Sequence, residues 1–143
     1  MRLVDLTLKI LGLSETIHRW QDVLSTLEAD RRAKIAKYAD EIAGTLARAS
    51  AAFATLERDA SDTRALREAI RELGRIAGYV EDIVLTLEDH LDGRKLAGVK
   101  RRLEPLAEPG PLRAAVQRRD GARIETLLES EGYFRALADG LRT

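Results

Sequence analysis

All three prolines, Pro105, Pro109 and Pro111, fall within one short stretch, and the chain before them contains none. A proline ring removes a backbone donor and collides with the preceding turn. A long proline-free run rich in Ala, Leu, Arg and Glu therefore favours helix. The segment from Glu104 to Pro111 predicts the end of one helix and a stiff connection.

Apolar spacing agrees. Leu3, Leu6, Ile10, Leu13, Ile17, Trp20, Leu24 and Leu27 recur at alternating intervals of three and four, which places them on one helical stripe. The stripe loses phase near Asp30-Arg31-Arg32 and resumes as Ile35, Tyr38, Ile42, Leu46, Ala49, Phe53 and Leu56. Two helices with a turn near residues 28 to 32 satisfy this pattern, as does one bent helix. Gly12-Leu13-Ser14 offers a further restart, with Ser14 as a cap. The Asp59-Ala-Ser-Asp-Thr63 cluster is a clearer stop, with Ser61 or Asp62 placed to cap the next helix. That helix carries Leu66, Ile70, Leu73, Ala77, Val80, Val84, Leu87 and Leu91, and Gly93 offers it a left-handed end. A fourth helix holds Leu96, Val99, Leu103 and Leu106. Beyond the prolines the pattern predicts short pieces near 112–119, 122–129 and 131–141, separated by Gly121 and Gly132.

The expected fold is all-α: an antiparallel four-helix bundle over residues 1–107, with short helices in 108–143 packed on the same domain. A parallel coiled-coil dimer fits less well, because the stripes are wider than two positions per heptad. With 143 residues the chain suits a single core.

Several functions are disfavoured by composition. The 24 basic and 24 acidic side chains balance, so the counterion-displacing excess of a general nucleic-acid binder is missing. There is no cysteine, which excludes disulfides, thiolate catalysis and Cys-ligated metal, and which suits a reducing, cytoplasmic compartment. Ala49 to Leu56 is the longest uncharged stretch, far below the roughly 20 residues of a membrane span. A di-iron bundle needs two Glu-x-x-His pairs, and only Glu15-Thr-Ile-His18 has that spacing. No nucleophile elbow or glycine-rich phosphate loop is present. The expectation is a protein that is not an enzyme and needs no metal or cofactor.

Two features remain. Glu81, Asp82, Glu88, Asp89 and Asp92 form an acidic run, and Arg94, Lys95, Lys100, Arg101 and Arg102 follow as a basic one, meeting at Gly93. Residues 61 to 92 hold four basic and eight acidic side chains, whereas residues 93 to 143 hold eleven and seven. Solvated helix faces explain such runs, and so do docking surfaces for an acidic partner or anionic lipid. The other feature is the first helix. Leu3, Val4, Leu6, Leu8, Ile10, Leu11 and Leu13 cover more than half of its circumference, too much for one neighbour to bury. It is either sunk among several helices or released into a membrane interface or a partner.

Three stretches resemble helical cell-death bundles: the HeLo-like domains, the mixed-lineage-kinase-like executioner bundle and the N-terminal helical domain of plant NLR receptors. Leu3 to Leu13 is similar to their apolar first helix. Tyr79-Val-Glu-Asp-Ile-Val84 resembles the acidic plant signature, with Leu85 standing where that signature ends in an acid. Asp92 to Leu103 resembles the basic fourth helix of the HeLo-like group. The likeness covers residues 1–107 and implies defence signalling by self-association, with Leu3, Leu6, Ile10 and Leu13 inserting into a membrane or partner. It also implies a peripheral membrane location when active, and acidic docking at Glu81 and Asp82. The alternative expectation is a constitutive adaptor that binds a protein through the acidic helix from Glu81 to Asp92.

Overall fold

The computed structural model describes residues 2–88, 93–107, 109–118 and 124–142, apart from a few side chains in α5 and α6. Among these, every regular element is α-helix: α1 (Leu3–Arg19), α2 (Gln21–Leu24), α3 (Ala29–Arg58), α4 (Thr63–Leu87), α5 (Gly93–Ala107), α6 (Pro109–Arg118) and α7 (Ile124–Arg142).

The first helix passes through Gly12 without a break. Ser14 does not cap it, because its hydroxyl donates back to the Leu11 carbonyl at 2.7 Å and is satisfied within the helix. The chain bends earlier than the phase break suggests. Helix α1 stops at Trp20, α2 adds one turn, and α3 begins at Ala29, so Asp30 to Arg32 lie in its first turn. Trp20, Leu24 and Leu27 stay buried through this bend, which is why the apolar stripe crosses it unbroken.

Asp62 caps α4, its carboxylate accepting from the Ala65 N–H at 3.0 Å. In the preceding turn, Asp59 accepts from the backbone and hydroxyl of Ser61 at 3.1 and 2.7 Å. Across this turn α3 and α4 form an antiparallel hairpin: Arg48 pairs with Glu72, and Glu41 meets Tyr79. Gly93 is not a left-handed end. It opens α5, and its backbone lies outside the positive-φ region. Pro109 and Pro111 sit in the first turn of α6, where helix N–H groups lack internal partners anyway.

The largest departure from expectation is at the C-terminus. Residues 124–142 form one 19-residue helix running straight through Gly132, not two short pieces. Its Leu127, Phe134, Leu137, Ala138 and Leu141 belong to the main core. Helix α7 packs extensively on α3 and also on α1, so α3 has α4 and α7 as its chief neighbours. Helices α5 and α6 pack on both α4 and α1, closing the remaining side. His18 stacks edge-on to Tyr133 at 5.4 Å, and Arg142 pairs with Asp40. The buried hydroxyls of Thr7, Thr45, Ser50 and Ser130 donate to carbonyls one turn back, so they enter the core without unsatisfied donors.

Candidate functional site

The four apolar residues assigned to insertion, Leu3, Leu6, Ile10 and Leu13, are all fully buried. Helices α7, α5 and α6 pack on α1 and bury these four, while Val4 and Leu11 at the edges of the wide arc stay half-buried. Leu8, on the far side of α1, is 51% exposed.

Arg94, Lys100, Arg101 and Arg102 are exposed. Arg102 reaches across to α1 and donates to the Thr16 hydroxyl at 2.7 Å, so part of its role is to fasten α5 to α1. The Lys95 side chain lies outside the described residues, as do Asp89 and Asp92. Of the acidic group, Glu81 and Glu88 are exposed and Asp82 is half-buried.

Helix α4 packs on α3, α5 and α6. Its inner face is core, and its polar flank against α3 is held by Glu72, which is only 3% exposed. That carboxylate accepts from Arg48 Nε at 3.1 Å and Arg75 Nη1 at 3.5 Å, and Arg71 Nε lies 4.0 Å away. Arg75 also donates to the Tyr79 hydroxyl at 2.9 Å and lies 5.7 Å from its ring centroid. The bond to Tyr79, with Glu72 and Glu41 nearby, pushes the Arg75 guanidinium further above its ordinary value.

The outer face of α4 is divided by charge. Arg64, Arg67, Arg71 and Arg75 supply all the basic residues between 61 and 92, and all lie in the first half of the helix. Glu81, Asp82 and Glu88 lie at the other end, around Leu85, which is 59% exposed. Gly74 and Gly78 stand between the two ends. At the basic end, α4 and α6 enclose an open cleft of about 550 Å³ lined by Thr63, Leu66, Arg67, Ile70, Arg71, Arg113 and Gln117. Among the described residues no salt bridge engages Arg64, Arg67 or Arg113. The cleft thus combines positive charge with the half-buried apolar walls of Leu66 and Ile70.

Charge counting over residues 61 to 92 missed this basic end, because eight acids outweigh four arginines when the stretch is taken as a unit. The discriminating signal was position along the helix. Arg113 joins the cleft only through the α4–α6 contact, which spacing along the chain does not reveal.

Comparison with protein-family models, curated proteins and solved structures finds no match to this chain. The α4 surface presents exposed carboxylates around a leucine at one end, and guanidinium groups around an apolar cleft at the other.

Proposed function

We propose that the chain is a docking module that acts by binding, with the acidic end of α4 as its docking face. The observation that carries this reading is Leu85. Leu85 is 59% exposed and has Glu81 and Glu88 one turn to either side, so an apolar contact and a matched pair of charges stand together on one exposed face. Burial of Leu85 would supply affinity, and the carboxylates would select a partner with a basic surface. The module is a helical bundle in which α4 and α7 flank α3 and α1 packs on α7, with α5 and α6 as a bridging pair between α4 and α1. A cell-death or defence-signalling setting belongs to the same proposal through the resemblance of residues 1–107 to such bundles.

Burial of α1 favours docking over membrane insertion. Removing four fully buried side chains from the core would cost on the order of 10 kcal/mol, comparable with the whole stability of a domain. No described helix is long and apolar enough to cross a membrane. On this reading the full chain does not sediment with anionic liposomes. Co-sedimentation that disappears when residues 2–13 are removed would instead support insertion.

The direct test is site-specific photo-crosslinking in the native cell. A benzophenone side chain at position 85 should give a discrete adduct, whereas one at exposed Leu128 should not. Absence of an adduct at 85, or equal adducts at both positions, would overturn the docking reading. The adduct's mass identifies the partner as a second copy or as another protein.

A further inference from the structure

The outer face of α4 carries a second heptad-like seam, opposite the one that enters the core. Arg64, Arg67, Arg71, Gly74, Gly78, Glu81, Leu85 and Glu88 follow one another at intervals of three and four. All are exposed except Gly74, which is half-buried with Leu112 of α6 at 3.7 Å from where a Cβ would stand. Such spacing keeps the eight positions on one line of an α-helix, the geometry by which one helix meets another along its length.

The seam is also complementary to itself when reversed. About a point midway between Gly74 and Gly78, Arg71 answers to Glu81 and Arg64 to Glu88, while the two glycines answer to each other. Leu85 answers to Arg67, beside the apolar walls of the α4–α6 cleft. We infer that the partner of the docking face is a second copy of this chain, bound through an antiparallel, two-fold α4–α4 contact. This rests on the docking reading above and names its partner.

Each end of the seam meets its chemical opposite. Two arginine–glutamate pairings form on each side of the axis, four in all, and each Leu85 enters the cleft of the other copy, between Leu66, Ile70 and Arg113. At the centre, the exposed Gly78 lets the helix axes approach closely, because separation is set by the side chains at the crossing. A parallel pairing would place arginine on arginine and glutamate on glutamate, so charge selects the antiparallel one. The contact is self-complementary and closes at two copies, unlike a head-to-tail contact that propagates. A single helical seam is at the small end of stable interfaces, so the dimer should be weak and concentration-dependent.

Gly78 supplies a variant that separates folding from association. Nothing lies within 4 Å of a Cβ built there, and leucine favours helix over glycine. Gly78→Leu should therefore fold at least as well as the parent chain while holding the two helices apart. Sedimentation velocity of the full chain across a concentration series should show a monomer–dimer equilibrium. Gly78→Leu should sediment as monomer with an unchanged or raised Tm. Arg71→Glu should weaken the dimer at least about tenfold by placing carboxylate against carboxylate, and Arg71→Glu with Glu81→Arg should restore it. A parent chain that stays monomeric, a Gly78→Leu variant that dimerises equally well, or open-ended growth beyond two copies would each overturn the pairing. A monomeric chain that still crosslinks to a different protein at position 85 would end the self-pairing and leave the docking reading standing.

Discussion

Glu72 would be a costly residue in this core if it stood alone, since an unpaired buried carboxylate is strongly disfavoured. Arg48 at 3.1 Å and Arg75 at 3.5 Å make its burial tolerable. The arginines are themselves 44% and 42% exposed at the side chain, so water takes up part of their charge. Arg48→Met removes the closer partner and leaves the carboxylate with the longer contact, and should cost about 1–3 kcal/mol by thermal denaturation. Arg71→Met, at 4.0 Å and with a 68% exposed side chain, should stay within about 0.5 kcal/mol. A reversed order of these two variants would contradict the assigned network. Glu72 cannot be told from its acidic neighbours by spacing, because the partner that justifies its burial stands on another helix, 24 residues away.

At the level of elements, apolar periodicity marked α1, α3 and α4 closely, since each buries one face and the 3.6-residue repeat records that face directly. It failed for α7. Gly132 reads as a divider by propensity, but a helix tolerates an interior glycine at about 1 kcal/mol when packing offsets it. Leu127, Phe134, Leu137 and Leu141 do so, spaced so as to face α3 and α1 together. Phe134→Ala should accordingly cost about 3–5 kcal/mol, whereas Leu128→Ala, on the exposed side of the same helix, should change stability by less than about 0.5 kcal/mol. Urea denaturation of both variants checks the assigned face. The outer seam of α4 was hidden for a different reason. Its residues are polar or glycine, and a search for apolar repeats passes over a stripe whose meaning lies in the order of its charges.

At the scale of the whole molecule, neither end of the chain is an appendage. The fully buried residues of α1 and the buried face of α7 share one core with α3 and α4. A fragment ending at residue 107 loses the chief partner of α3 besides α4, and should show no cooperative thermal transition. A fragment that melts cooperatively near the parent Tm would contradict the shared core. On that scaffold α4 presents an outward face that is basic at one end and acidic at the other, and the neutral net charge of the chain conceals this polarity. The absence of cysteine allows the most direct measurement. Arg71→Cys and Glu81→Cys chains, mixed and oxidised gently, should form a disulfide-linked pair, because the antiparallel contact sets these positions opposite one another. Each variant alone should remain unlinked, since its two thiols would stand about 15 Å apart along the axis. Equal crosslinking of the single variants, or none in the mixture, would contradict the assignment of α4 as the surface through which this protein meets its own copy.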